Sequence, residues 1–233
     1  MTTRNLVLAA LSSDRYARLE PEMEQVDITP GQPVYCVNEV MDRVYFPLTG
    51  VYCEYVVLQT GATVEVGTIG NEGMVGLWVY FGARVAPALI EGQVAGVAMT
   101  MPAEAFRAAV ERSPGVRAAV GRYAQAHLGQ VAQSAACNAV HTVKQRLIRW
   151  LLLTDDRIEH GRFRLTQDLV ARMLGARRET VTVAANRLKQ DGLVRYSRGW
   201  ITVADRAGLE ASACECYRQT AERYRALLAA PNP

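Results

Sequence analysis

Hydrophobic positions recur at two different periods along this chain, and the period changes near Met101. Between residues 28 and 101 the apolar runs are short and often alternate with polar residues, as in 34-VYCV, 44-VYF, 51-VYCEYVVL and 63-TVEVGTI. Turn signals interrupt them at 30-PG, 47-PLTG, 59-QTGAT and 70-GNEG. Runs rich in Val and Tyr, cut at short intervals by Gly and Pro, predict strands, and QTGAT between two of them predicts a hairpin turn. A series of such strands predicts an antiparallel barrel or sandwich.

From Met101 the spacing becomes helical. Pro102-Ala103-Glu104 opens a short helix to about Arg112, and Ser113-Pro114 restarts one with a capping residue before a first-turn proline. Residues 115–140 contain no proline and many alanines, so one long helix is predicted. Along it Gly121, Ala124, Leu128, Val131, Ala135, Asn138 and Thr142 step alternately by three and four, a small heptad seam with a polar Asn138 inside it. Such a seam serves either as a dimer interface or as packing on the helix's own domain, and periodicity does not choose between them. Next come an amphipathic helix, 143-VKQRLIRWLLLTDD, a short strand at 163-FRL, a helical pair, a hairpin at 193-LVRYSRGWITV and a further helix over 208–229.

The helical pair is the most informative stretch. Thr166 stands where it can cap QDLVARML, whose Leu169, Val170, Met173 and Leu174 mark a buried face. Gly175 follows, and glycine tolerates the left-handed backbone that ends a helix and turns the chain. The second helix buries Val181, Ala184, Ala185 and Leu188 and stops at Asp191-Gly192. Two short helices, a tight glycine turn and a β-hairpin predict a winged helix-turn-helix. Its solvated alternative is a helical hairpin with an ordinary charged face.

Charge separates these readings. The 233 residues carry a net charge of only +3, but residues 141–200 hold thirteen Lys and Arg against six Asp and Glu, whereas residues 1–140 are net acidic. One basic block of about sixty residues suggests a polyanion-binding module joined to something else. In a helix-turn-helix the start of the second helix enters the major groove. Arg177 and Arg178 would meet phosphates and guanine edges there, and Glu179 could accept from cytosine N4. Thr180 and Thr182 suit phosphate or thymine-methyl contacts, and Lys189, Arg195 and Arg198 would reach flanking phosphates.

Other chemistry is sparse. The sequence shows no nucleophile–base constellation, P-loop or metal-ligand spacing, and only three histidines, so an enzyme is not predicted. The five cysteines (Cys36, Cys53, Cys137, Cys214, Cys216) include no CxxC pair. Cys214-x-Cys216 is too tight for a usual zinc half-site, so no metal site is predicted and reduced thiols are the simplest account. No apolar run is long enough to span a bilayer, and the start, MTTRNLVLAALSSDR, reads as a short helix rather than a secretory signal, which makes the cytoplasm the default location.

The stretch LTQDLVARMLGARRETVTVAANRLKQDGLV, followed by a wing, resembles the helix-turn-helix of the Crp/Fnr transcription regulators, and R-E-T-V is its most specific element. The order of strands, long helix and winged helix is similar over about residues 25–204. The resemblance implies an α+β fold with an N-terminal antiparallel β-roll like that of cyclic-nucleotide-binding domains (1–113), a dimerisation helix (114–141) and a winged helix-turn-helix domain with a C-terminal helix (142–233). It implies a homodimer on palindromic double-stranded DNA, joined through Ala124, Leu128, Val131, Ala135 and Asn138, with RNA polymerase as a further partner and no membrane. Arg178 and Glu179 fall on two of the family's base-reading positions. The third, commonly arginine in the cyclic-AMP receptor type, is Val183. Arg177 replaces a Ser that often caps the recognition helix, a loss worth about 1 kcal/mol unless phosphate offsets it.

The implied effector pocket departs from the cyclic-nucleotide pattern. Around 73-GMVGL and 84-RVAPALIEG, Met74 stands in place of the ribose-binding acid, and Val85-Ala86-Pro87 supplies no Arg-Ser for the phosphate. The Thr-Ser pair that meets adenine appears as Val131-Ala132. An unpaired cyclic phosphate is costly to bury, so the sequence argues against cyclic AMP. An iron–sulfur cluster of the family's kind needs cysteines ahead of Cys36, and there are none. Haem would need His127, Cys36 or Cys53 as its axial ligand. The pocket positions, Met74, Val75, Leu77, Val85, Ala86, Val131 and Ala132, either hold a small hydrophobic effector or are filled core, with filled core the simpler reading. The competing functional class is a sensory or scaffold module that binds no DNA and uses the β-roll and helix for partner assembly.

Overall fold

The computed structural model describes residues 3–158 and 161–228. The chain opens with two short helices rather than one, α1 (Leu6–Ala9) and α2 (Ser13–Leu19). Asn5 caps α1 through its side-chain oxygen, and its Nδ2 donates to the carbonyls of Pro47 and Gly73 at 2.9 and 2.7 Å. The first helix is thereby tied to the strands that follow.

Those strands are β1 (Glu24–Ile28), β2 (Pro33–Tyr35), β3 (Arg43–Pro47), β4 (Val51–Val57), β5 (Thr63–Ile69), β6 (Leu89–Val94) and β7 (Gly96–Pro102), with a four-residue helix, α3 (Leu77–Tyr80), between β5 and β6. They form two antiparallel sheets, ordered β1-β7-β3 and β2-β6-β4-β5. QTGAT makes the hairpin between β4 and β5, where Leu58 N donates to Ala62 O at 2.8 Å. At the corner where β6 passes into β7 the backbones nearly touch. A Cβ on Gly50, which has φ +81°, would lie 2.7 Å from Val94 O, so that corner admits no side chain.

Helix α4 (Ala103–Arg112) and the long α5 (Pro114–Val140) follow. Ser113 caps α5 by accepting from Val116 N, as its position before Pro114 predicts. One side of α5 closes the β-roll core: Tyr123 Oη donates to Met74 O at 3.1 Å and Gln130 Nε2 to Thr68 O at 2.8 Å. This revises the heptad seam. Ala124, only 4% exposed, belongs to the β-roll core, whereas Leu128 is 56% exposed. Val131 and Asn138 are half-buried, and the open stripe runs through Leu128, Ala132, Ala135 and Ala139. Its register lies one residue away from part of the predicted seam because Tyr123, Ala124, His127 and Gln130 turn toward the sheets.

His141 ends α5 and Thr142 starts α6 (Val143–Asp155), in a capping box with Gln145. The sequence reads α6 as amphipathic. In the fold every residue from Leu147 to Thr154 is buried, because α6 packs against four other helices and shares a core with Val51, Cys53, Tyr55 and Val94 of the β-roll. Burying each of its large apolar side chains contributes about 1.5–3 kcal/mol.

Glu65 of β5 lies buried at that junction, and one of its oxygens receives hydrogen bonds from the Cys53 thiol at 3.1 Å and Trp150 Nε1 at 3.2 Å. Burial pushes its carboxyl from 4.5 up to about 7, although those donors and the charges of Arg149 and Arg157 pull downward. A folded pKa above the unfolded one means stability that is complete below about 4.5 and lost as pH rises through 7. Glu65→Gln keeps the acceptor and removes the ionisation. It is expected to match the parent chain at pH 4 and to exceed it by up to about 3 kcal/mol at pH 8, measured by urea unfolding. Equal stability of the two proteins at both pH values would contradict this account.

The C-terminal third contains β8 (Arg162–Arg164), α7 (Gln167–Leu174), α8 (Arg178–Gln190), β9 (Val194–Ser197), β10 (Trp200–Val203), α9 (Arg206–Ala211) and α10 (Glu215–Leu228). The three strands form an antiparallel sheet ordered β8-β10-β9. The single helix expected over 208–229 is instead two, broken over residues 212–214, and residue 229 lies outside the described residues. The break lets α10 turn back along α5, where Tyr224 stacks on Tyr123 with ring centroids 6.3 Å apart. Tyr224 and Leu228 thus join the core of the β-roll.

Candidate nucleic-acid interface

Helices α7 and α8 meet across one buried face. Thr166 caps α7 by accepting from Leu169 N at 3.2 Å, and Gly175 ends it in the left-handed region with φ +54°. Val170, Met173 and Leu174 pack against Val181, Ala184 and Leu188, as their spacing predicts. Packing of these two helices fixes the direction in which the start of α8 points.

At that start Arg177 occupies the N-cap, and no side chain caps the helix. Arg177, Arg178, Glu179 and Thr180 are all exposed, and Val183, one turn further, is 70% exposed. The helix dipole adds partial positive charge where these arginines stand. Arg178 is not idle in the free protein: its Nε lies 3.2 Å from Asp168 of α7, an ion pair exposed on both sides. Thr182 also has partners inside the motif. Its hydroxyl donates within the motif, with Gln167 Oε1 at 2.8 Å and Arg178 O at 2.9 Å, so it braces α7 against α8. Asn186, exposed on the same face as Glu179 and Val183, is a candidate that the sequence reading passed over.

The wing adds two further cations. Arg195 is exposed on β9, and Arg198 sits in the two-residue turn to β10. Arg198 and Gly199 both have positive φ, +50° and +79°, which makes this a type I′ turn. Arginine in that conformation costs of order 1 kcal/mol relative to glycine or asparagine. Lys189 lies exposed near the end of α8.

The motif is also fastened inward. Arg172 of α7 pairs with Glu91 of β6, and its guanidinium lies 5.0 Å from the Tyr55 ring centre. The helix-turn-helix therefore rests on the four-stranded sheet.

A second feature lies between that sheet, α3 and α5: an apolar cavity of about 510 Å³. Met74, Leu77 and Val131 line it as predicted. The filled-core reading is corrected, since the space is open. Four expected residues do not line it: Val75 pairs with Tyr45, Val85 with Val40, Ala86 is buried in the β-roll core, and Ala132 faces outward. The polar groups at its wall are Glu54 and His127, joined at 3.1 Å, with Trp78 Nε1 donating to Glu54 at 3.1 Å. Burial opposes the Glu54 charge, yet the hydrogen bond and charge of His127 and the Trp78 N–H hold its carboxyl below the usual range. Sequence spacing gave no sign of this pair, whose members lie 73 residues apart. Of the haem-ligand candidates only His127 reaches the cavity, with its Nε2 already engaged by Glu54. Cys53 bonds to Glu65 and Cys36 is exposed.

Cys214 and Cys216, dismissed as too close together for a metal half-site, stand beside Cys137 and His141, and the four ligand atoms lie within 4.8 Å of one another.

The family profile of the Crp-like helix-turn-helix domain matches residues 145–212, from the first turn of α6 to just past α9. No curated protein matches the chain. Among solved structures the chain is similar to FixK2 from Bradyrhizobium japonicum (17% identity, 82% of this chain and 98% of that one, TM-score 0.69). It is also similar to TTHA1359 from Thermus thermophilus, a transcriptional regulator of the CRP/FNR family (21% identity, 82% and 98%, TM-score 0.62). A third likeness is to CLP, the c-di-GMP responsive global regulator of Xanthomonas campestris (16% identity, 83% and 100%, TM-score 0.64). The fold is thus that of the Crp/Fnr regulators, β-roll, long helix and winged helix-turn-helix in order. Among the described residues no helix is long and apolar enough to cross a membrane.

Proposed function

We propose that this chain, a Crp-like helix-turn-helix carried on the Crp/Fnr fold, is a sequence-specific DNA-binding transcription regulator that acts as a homodimer. The observation that carries this reading is the uncapped, solvent-facing start of α8, where Arg177, Arg178 and Glu179 stand free of the core. Arg178 and Glu179 read base edges, Val183 meets a thymine methyl, and Arg177, Thr180, Lys189, Arg195 and Arg198 hold phosphates. Two chains associate through the open stripe of α5 around Leu128, Ala132 and Ala135, with Val131 and Asn138 at its margins. Their recognition helices then lie about 34 Å apart, matching half-sites one DNA turn apart. RNA polymerase is the partner that such a complex addresses from the DNA.

The cavity is the effector site in this reading, and its chemistry favours a small, mostly apolar ligand. Its lining contains no Arg or Lys, and the Glu54 carboxylate, which already engages His127, would repel a cyclic phosphate, which argues against cyclic AMP.

Binding to a palindromic promoter fragment, followed by fluorescence anisotropy, tests the regulator reading. Affinity is expected to weaken steeply as salt rises and to exceed that for a scrambled fragment. Binding that shows neither property would favour a partner-assembly module that uses no DNA.

A further inference from the structure

The end of α5 and the junction of α9 with α10 bring together four side chains that the DNA-binding reading leaves without a task. Cys137 lies in the last turn of α5 and His141 at its C-cap, while Cys214 and Cys216 flank Glu215 at the start of α10. The three cysteines are buried against one another and form a small core of their own. We propose that Cys137, His141, Cys214 and Cys216 form a tetrahedral site for one zinc ion that fastens α10 to the end of α5.

Distances carry the assignment. Zinc binds thiolate sulfur at about 2.3 Å and imidazole nitrogen at about 2.0–2.1 Å, so a tetrahedral site has S···S edges of about 3.8 Å and S···N edges of about 3.5 Å. Cys137 Sγ and Cys214 Sγ are 3.8 Å apart, and Cys216 Sγ and His141 Nδ1 are 3.6 Å apart. The longest separations in the set, up to 4.8 Å, must close by about 1 Å around the ion. Three thiolates and an imidazole are the soft and borderline ligands zinc prefers, and four protein ligands leave no open position, the mark of a structural site.

The surroundings complete the pattern. His141 Nε2 lies 3.4 Å from Glu215, so a carboxylate on the far ring nitrogen orients Nδ1 toward the site. Gln133 Nε2 donates to Cys216 Sγ at 3.0 Å. On binding, the three thiol protons pass to solvent, and the assembled site carries one negative charge. Buried Arg149 is near enough for its field to act at Cys137 and offset that charge.

The site's position gives it a consequence. His141 is the hinge between the helix proposed to dimerise and the domain proposed to bind DNA, and Thr142 begins that domain's first helix. A metal joining His141 and Cys137 to α10 holds the hinge at one angle. That consequence rests on the regulator reading. The metal site does not, so its test is made without DNA.

The full-length reduced chain, stripped of metal and titrated with cobalt(II), is expected to take up about one ion per chain and to develop the thiolate charge-transfer and visible bands of tetrahedral coordination, which zinc then abolishes. Cys214→Ser and Cys216→Ser should each lose these bands, Cys36→Ser should keep them, and His141→Cys should keep a tetrahedral spectrum with stronger charge transfer. Because the cobalt spectrum is read on the unaltered chain, a variant that fails to fold does not decide the matter. No tetrahedral spectrum on that chain, an unchanged spectrum in Cys216→Ser, or an iron–sulfur spectrum in the purified protein would each overturn the proposal.

Discussion

Replacing Arg178 with alanine is expected to weaken operator binding by about 1–3 kcal/mol per half-site, roughly 5- to 150-fold, with the loss confined to one base-pair position. The side chain stands at the start of α8, where a guanidinium can donate twice to the edge of guanine. Its only ionic contact among the described residues is the exposed pair with Asp168, which is worth at most about 1 kcal/mol and is readily exchanged for DNA. Asp168→Asn should therefore leave affinity nearly unchanged, which separates loss of the arginine from loss of its resting partner. Anisotropy titrations over operators substituted one base pair at a time provide the measurement. An equal loss on every operator, with the salt slope reduced by about one per half-site, would make Arg178 a phosphate contact instead.

The largest effect on stability is expected at Arg157. Its Nε and Nη2 grip both oxygens of Glu72 at 2.9 and 2.7 Å, Nη1 donates to Thr68 Oγ1 at 2.5 Å, and Nη2 reaches Gln130 Oε1 at 3.4 Å. Both charged side chains are almost wholly buried. One guanidinium thus joins the residues just after α6 to β5, to the turn that follows β5, and to α5. Its stem presses so closely on Gly70 that a Cβ there would lie 2.4 Å from Arg157 Cδ. Arg157→Ala leaves Glu72 charged and unpaired in the interior, and is expected to cost about 3–5 kcal/mol in urea unfolding. Replacing both partners with methionine should recover much of that loss, because the uncompensated charge disappears with the pair. A cost below about 1 kcal/mol for Arg157→Ala would show that water reaches the site and that the pair contributes little.

What could be read in the sequence follows from the range of the interactions involved. The long helix, the β4–β5 hairpin and the two helices around Gly175 depend on residues within a few positions of each other, and periodicity, caps and turn residues announce them. Convergence over long separations is not announced. Glu54 meets His127, Glu65 meets Trp150, and Cys137 meets Cys214 only because α5 lies over the sheet, α6 enters the second core and α10 doubles back. Ala124 misled for a related reason: small residues suit either side of a helix, and the large neighbour Tyr123 decides which side turns inward. At Thr182 a hydroxyl on a recognition helix has no visible protein partner in one dimension. In three dimensions Gln167 is that partner. The candidate interface was legible as a set of charges, and the division between free and engaged members was not.

The return of α10 along α5 also sets an order of events at the ribosome. Tyr224 and Leu228 complete the core of the β-roll, although every strand of that roll is made long before them. Domains synthesised first generally fold first. The nascent β-roll is expected to lack this part of its core until the DNA-binding segment has been translated and α10 emerges. The two halves of the molecule should therefore reach their native state together rather than in sequence.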